Sequence, residues 1–167
     1  MEEENVKQLV LVARNDIPAR EMKEFAAYTK ANESKVQFGS AGTGSANHRC
    51  ALMNSVTGLN VVHVLYRGVN PAMQDLMSGR KDHLCDIVTT AKPTIDGGSV
   101  RPIAILTKQR SPVLPNLPTA IEQGFAVEAY TWNAFFLPKE TPRAKVPVTE
   151  FPTVNLRGRA SRGRASK

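Results

Sequence analysis

A glycine-rich loop between a short apolar strand and a helix is the feature that most constrains how this chain can fold. Residues 36–48 read VQFGSAGTGSANH, in which 36–38 predict a strand, and residues 46–56 have the apolar spacing of a helix. Three glycines lie in between: Gly39, Gly42 and Gly44. Glycine lets the backbone approach a ligand closely because it has no Cβ. The N–H groups of the helix's first turn then offer a site for a carboxylate or a phosphate, although packing alone is an alternative reason for the glycines.

Two common nucleotide motifs do not fit this loop. The phosphate loop of nucleoside triphosphatases needs a lysine after its last glycine, but Ser45 and Ala46 follow Gly44. The dinucleotide fingerprint needs a third glycine, and Asn47 stands at that position. Three hydroxyl side chains lie in the loop, on Ser40, Thr43 and Ser45. We therefore expect a small anion, bound by backbone N–H groups and hydroxyls, and we predict no cofactor.

Predicted strands and helices alternate along the chain. The strands are expected at residues 8–13, 36–38, 61–66, 84–88 and 100–107, and the helices between them at residues 18–32, 46–56, 71–79 and 89–95. This alternation predicts the α/β class with a doubly wound, mostly parallel sheet. The first strand is apolar throughout, as is typical of a parallel strand buried on both faces. A short helix at 119–123 and an aromatic strand at 130–137 follow.

The net charge of +7 comes almost entirely from the end of the chain. Residues 143–167 contain seven Lys or Arg and one Glu, a net charge of +6, and the sequence RGRAS occurs twice there. Because this segment has little apolar content to bury, we predict a disordered basic tail. It could bind nucleic acid electrostatically, but no aromatic residue lies between the arginines, and we expect no specific nucleic-acid partner. Residues 1–7 are predicted to be a disordered N-terminus.

The sequence offers little catalytic or metal-binding chemistry. No two histidines lie at metal-ligand spacing with a cysteine or carboxylate, so we predict no metal site. No Ser–His–Asp or Cys–His arrangement and no carboxylate pair is indicated by spacing, so we predict no catalytic residue and no enzyme. We interpret His48 as a helix-face or capping residue rather than as a ligand contact or general base.

Five segments in order carry a resemblance to a known family. They are FGSAGTGSANH from Phe38, VHVLYRG from Val62, PAMQDL from Pro71, RSPVLPNLP from Arg110 and TWNAFFLP from Thr131. Over residues 8–142 the chain resembles the periplasmic solute receptors of the tripartite tricarboxylate transporter family, also called Bug receptors.

The resemblance implies a receptor that holds a small carboxylate-bearing solute between two α/β lobes and presents it to a membrane permease. Residues 8–142 resemble the second lobe with its crossing strands, and we expect the first-lobe segments before Lys7 and after Pro142 to have no counterpart. The family implies a periplasmic location, whereas the acidic start of this sequence is no signal peptide, so the chain as written would stay in the cytoplasm.

The resemblance also implies site residues. The loop that contacts the solute carboxylate, mainly through backbone N–H groups, matches Ser40, Ala41, Gly42, Thr43, Gly44 and Ser45. Asp86 matches a cleft residue that helps select the solute and could accept from an ammonium or amide group, and Thr89 could donate to the ligand.

In an oxidising periplasm Cys50 and Cys85 are candidates for a disulfide, whereas in the cytoplasm they would stay thiols.

We therefore expect a partial solute receptor whose binding is impaired by the missing lobe. A nucleotide-dependent α/β enzyme and a nucleic-acid binder acting through the arginine-rich tail are the alternatives. The missing lobe should also leave an exposed apolar face around Leu9, Val10, Trp132 and Phe135.

Overall fold

The computed structural model describes residues 7–131, which fold into helices packed around one sheet. The strands are β1 Lys7–Ala13, β2 Gln37–Ser40, β3 Val62–Leu65, β4 His83–Ile87, β5 Arg101–Ile105 and β6 Tyr130–Thr131. The helices are α1 Met22–Ala31, α2 Arg49–Val56, α3 Val69–Met77 and α4 Val88–Asp96, and a short 3-10 helix Ala46–His48 precedes α2. The predicted alternation of strand and helix is confirmed. None of the helices in this part of the chain has the length and apolar character needed to cross a membrane.

The strand order is β3-β2-β4-β1-β5, with β6 paired to β1. Strand β2 is parallel to both β3 and β4, whereas β1 is antiparallel to β4, β5 and β6. Within the described residues β1 alone therefore runs against the other strands, and the α/β class with a mostly parallel sheet is confirmed. The expected parallel pairing of β1 itself is wrong. Its position inside the sheet, between β4 and β5, buries both of its faces, and burial does not depend on strand direction.

The side chains of β1 divide between two apolar cores, one on each face of the sheet. Leu9 and Leu11 pack in the core that contains Phe25 of α1 and Met53 of α2. Val10 lies in the opposite core together with residues of α3 and α4. Helices on both faces are the doubly wound arrangement, and alternation of side chains along a strand explains the division.

The apolar face that we expected around Leu9 and Val10 is not exposed, since both side chains are fully buried. Helices α1 to α4 cover them, so the described lobe does not need a second lobe to bury this strand. Trp132 and Phe135 lie outside the described residues. So do residues 1–6 and the predicted boundary between residues 142 and 143.

The predicted helix at 119–123 is a turn instead. The Thr119 N–H donates to the Glu122 carboxylate at 2.7 Å, and the Glu122 N–H donates to the Thr119 hydroxyl at 3.0 Å. This reciprocal pair is typical of a helix start. Gly124 follows directly in the left-handed region, with φ of 86°, and this conformation ends the segment after one turn.

Candidate functional site

The predicted site residues lie at the ends of two neighbouring parallel strands. Strand β2 ends at Ser40 and leads into the glycine loop, and β4 ends at Ile87 and leads into α4. The two strands pair in parallel, with Phe38 opposite His83. In open α/β sheets ligands bind outside the carboxyl ends of the strands, and both predicted segments lie at this edge.

The glycine loop needs two of its glycines for conformational reasons. Gly42 and Gly44 have φ of 93° and 88°, in the left-handed region that other residues rarely adopt. A Cβ on Gly42 would also lie 3.0 Å from Leu65 Cδ1. The Ser45 hydroxyl donates to the Gly42 carbonyl at 2.7 Å and accepts from the His48 N–H at 3.2 Å. Ser45 therefore caps the following helix, as a serine at this position commonly does.

Part of the predicted amide donor set is used inside the loop. The Gly42 N–H donates to the Ser40 hydroxyl at 3.1 Å, and the Ser45 N–H donates to the Gly42 carbonyl at 3.1 Å. Within residues 7–131 several other N–H groups at this turn have no hydrogen-bond acceptor, among them those of Thr43, Gly44, Ala46 and Asn47. Thr43 and Gly44 are exposed to solvent. The loop therefore keeps donors for an anion at its tip and at the start of the 3-10 helix.

The Ser40 side chain makes its contacts inside the protein. It is fully buried, and its Oγ lies 2.6 Å from His63 Nε2 and 3.4 Å from His48 Nδ1. Its neighbour Ala41 is half-buried. The Ser40 hydroxyl does not face solvent; it lies beneath the loop and accepts from the Gly42 N–H.

Asp86 is more deeply set than a free cleft carboxylate would be. Its residue surface is 4% exposed, and its Oδ1 accepts from the Ile87 N–H at 2.7 Å and from the Asn47 side-chain amide at 3.4 Å. Desolvation by burial raises the pKa of Asp86, and the hydrogen bond from Ile87 N–H partly opposes that rise. By contrast, Thr89 is exposed in the first turn of α4.

Asn47 is a site residue that the sequence did not reveal. Its buried side-chain amide donates at 2.7 Å to the Cys85 carbonyl, so it joins the 3-10 helix after the glycine loop to β4. The available signal was a polar residue at the place where the dinucleotide fingerprint has glycine. From the sequence alone, this residue argues only against dinucleotide binding.

Cys50 and Cys85 form a disulfide in the structure, with 5.3 Å between their Cα atoms. Both residues are fully buried. The bond joins α2 to β4 directly beside Asp86, so a covalent link and the Asn47 hydrogen bond hold the two site segments together. No group of three or more His, Cys, Asp or Glu side chains within residues 7–131 is arranged to hold a metal ion.

A doubly wound sheet whose carboxyl edge carries a glycine loop with unused amide donors is the architecture of one lobe of a solute-binding protein. The sequence comparison identifies the group more closely. Residues 3–149 match the family described as the tripartite tricarboxylate transporter family receptor, and the chain belongs to this family. The resemblance predicted from the five segments is confirmed. This is a family of receptors, not of enzymes, and a nucleotide-dependent enzyme is not favoured.

Several curated relatives support the assignment. A UPF0065 protein from the ttuE-ttuC' intergenic region of Agrobacterium vitis is 37% identical over 136 residues, covering 80% of this chain and 39% of the relative. The protein BugT of Bordetella pertussis is 30% identical over 135 residues, covering 80% of this chain and 41% of BugT. The chain thus spans about two fifths of the length of these relatives.

Solved structures show the same fold. The periplasmic binding protein BugD is 35% identical with a TM-score of 0.78. MatC of Rhodopseudomonas palustris with bound malate is 31% identical with a TM-score of 0.79. An R. palustris protein with adipate is 27% identical with a TM-score of 0.79. In each case the match covers 84% of this chain and 48% of the other.

Proposed function

We propose that this chain supplies one lobe of a receptor that binds a small carboxylate-bearing solute for a tripartite tricarboxylate transporter. The observation that carries the proposal is the set of unused amides at Thr43, Gly44, Ala46 and Asn47, on the same sheet edge as the start of α4. Family membership and the malate and adipate found in two similar structures support it.

The chemistry of this edge suits an anion with a hydrogen-bond donor nearby. Amides at a helix start favour a carboxylate because their dipoles point at it. The Thr89 hydroxyl adds a donor from the second segment. Asp86 supplies an acceptor at the base of the site, which suits a hydroxyl, ammonium or amide group on the solute. These roles for the loop, Asp86 and Thr89 are part of the proposal.

One lobe gives one wall of such a site. Enclosure by a second wall removes water and strengthens each hydrogen bond, and the relatives are about twice as long as the part matched here. We therefore expect this lobe by itself to bind dicarboxylates weakly, with a Kd on the order of 1 mM, equivalent to about −4 kcal/mol.

The proposal includes a compartment and a partner. The buried Cys50–Cys85 disulfide suits an oxidising compartment, and BugD is a periplasmic binding protein. We assign the lobe to the periplasm on this support. Its partner is a membrane permease, through family membership. We propose no catalytic activity.

The proposal is tested by following backbone amide resonances during titration with malate and adipate, each against the uncharged diamide of succinate. The amides of Thr43, Gly44 and Thr89 should shift with the dicarboxylates and not with the diamide. Thr89→Val should weaken binding about threefold to tenfold, the effect of one lost hydrogen bond. Thr94→Val is the matched control, because the Thr94 hydroxyl on the same helix donates to the Ala91 carbonyl at 2.7 Å. Shifts confined to other surfaces would contradict the proposal.

A further inference from the structure

Three groups converge on one buried hydroxyl beneath the glycine loop. The Ser40 Oγ lies 2.6 Å from His63 Nε2, 3.4 Å from His48 Nδ1 and 3.1 Å from the Gly42 nitrogen. His63 comes from β3, His48 ends the 3-10 helix, and Gly42 belongs to the loop. The hydroxyl therefore connects both ends of the loop to the neighbouring strand.

A count of hydrogen bonds limits the protonation state of this cluster. A serine hydroxyl has one hydrogen to donate and two lone pairs to accept with. The Gly42 N–H uses one lone pair, which leaves one donor and one acceptor for the two imidazoles. All three contacts can form only if at least one ring presents an unprotonated nitrogen to Ser40. When both rings carry a proton there, three donors compete for two lone pairs.

We propose that His63 and His48 position the anion-binding loop through Ser40, and that protonation of both rings releases the Gly42 amide and loosens the loop. The inference rests on the proposed function for its consequence, which is pH-dependent solute binding. The release of the Gly42 amide can be observed without any solute.

The surroundings of His63 favour its neutral state. Phe38 stacks on His63 with 4.8 Å between ring centroids, and His48 lies edge-on at 5.2 Å. Desolvation first, and the charge on His48 second, lower the pKa of His63 below 6.5. The neutral form is therefore favoured in the fold, and it is lost as pH falls through that lowered pKa.

Few other charged or titratable groups of the described residues lie near the cluster. On β4, His83 stacks on the same Phe38 at 5.7 Å between centroids and is fully buried. Arg49 follows His48 along the chain and is exposed. Asn60 lines the same groove as the two rings, and its N–H is bonded to the Glu33 carboxylate at 3.3 Å. None of these groups contributes to the lowering of the His63 pKa, which comes from burial first and from His48 second.

The test is a pH titration from 8 to 5 without solute, following the Gly42 amide resonance and the imidazole signals. The Gly42 amide should move as His63 titrates, and its exchange protection, corrected for intrinsic rates, should fall about five- to tenfold, the effect of one lost hydrogen bond. His63→Gln keeps a neutral hydrogen-bonding group and should abolish this pH dependence while retaining protection. His63→Ala leaves Ser40 with two partners, so the Gly42 amide should keep a lone pair at every pH and its pH dependence should also vanish.

Val62→Ala is the matched control, because Val62 is the exposed neighbour of His63 on the same strand and points to the opposite face. It should titrate like the wild type. A Gly42 amide that does not respond to pH, or that responds equally in His63→Gln, would overturn the inference. Malate titrations at pH 7.5 and 5.5 then test the consequence. Absence of malate binding at both pH values would reject the proposed function and leave the Gly42 result standing.

Discussion

The side-chain amide of Asn47 donates a 2.7 Å hydrogen bond to the backbone carbonyl of Cys85. This contact joins residues 38 positions apart, one in the 3-10 helix after the glycine loop and one in β4. It holds together the two segments on which solute binding is proposed to depend. Position 47 therefore sets the geometry of the site, although no solute contact is assigned to its side chain.

Asn47→Ala should destabilise the lobe by about 1 to 3 kcal/mol, because the Cys85 carbonyl is left buried without its donor. Chemical denaturation followed by circular dichroism gives the free energy of unfolding. Asn60→Ala is the control, since Asn60 is exposed and, among residues 7–131, only its backbone N–H is hydrogen-bonded. An Asn47 variant as stable as the control would show that the contact does not contribute to the free energy of unfolding.

The Cys50–Cys85 disulfide should contribute more to the free energy of unfolding than the hydrogen bond from Asn47 to Cys85. Cys50 and Cys85 are separated by 35 residues, and closing a loop of that length stabilises a fold by about 3 to 4 kcal/mol. We expect the Cys50→Ala, Cys85→Ala double variant to lose about that much free energy of unfolding under oxidising conditions. The matched measurement is the wild type with reductant, which should approach the double variant. Equal stability of wild-type protein with and without reductant would contradict the prediction.

The alternation of strands and helices and the glycine loop were predictable because they depend on local patterns. Apolar runs, helical spacing and the Pro and Gly residues that end elements are properties of short segments. The direction of β1 was not predictable in this way. An interior strand of a doubly wound sheet is buried on both faces in either direction, so its composition carries no information about the direction of pairing.

The site was predictable only in outline, because its details depend on contacts between distant segments. The loop residues were found from their glycines, whereas the link from Asn47 to Cys85 requires the pairing of β2 with β4. The contact of Ser40 with His63 requires the pairing of β2 with β3, where Ser40 lies opposite Leu65. Sequence spacing cannot show that a loop hydroxyl is buried under two histidines.

His83 should make the lobe sensitive to acid. It is fully buried with Nε2 3.2 Å from Asn54 Oδ1, and burial lowers its pKa from 6.5 to about 3. Between pH 6.5 and about 3 the unfolded chain therefore binds a proton that the folded chain does not. The free energy of unfolding decreases as the pH is lowered through this range, by about 1.4 kcal/mol per pH unit.

His83→Gln should remove most of that dependence, because glutamine can keep a hydrogen bond to Asn54 and does not titrate. Between pH 6.5 and 4 the wild type should lose about 3 kcal/mol more than the variant. Denaturation curves for both proteins at half-unit pH steps measure the difference. Parallel stability profiles would show that His83 is not neutral in the fold.

The contribution of Asp86 to stability should have the opposite dependence on pH. A variant at this position can also distinguish its effect on stability from its effect on solute binding. Burial raises its pKa, so the folded chain retains a proton more readily than the unfolded chain, and stability is lost as pH rises through the folded pKa. Asp86→Asn removes the charge at nearly constant shape. It should stabilise the lobe at pH 7 by about 1 kcal/mol, a gain typical of relieving a constraint at a functional site.

That gain should vanish at pH 3, where the wild-type carboxyl is itself neutral. Asp96→Asn is the control, because Asp96 is exposed and paired with Lys92 on α4, where a surface ion pair is worth little. If Asp86 selects the solute, Asp86→Asn should weaken binding of a carboxylate that carries an ammonium group and should not weaken binding of adipate. A loss of affinity for both solutes in equal measure would assign Asp86 to the support of the loop and not to selection.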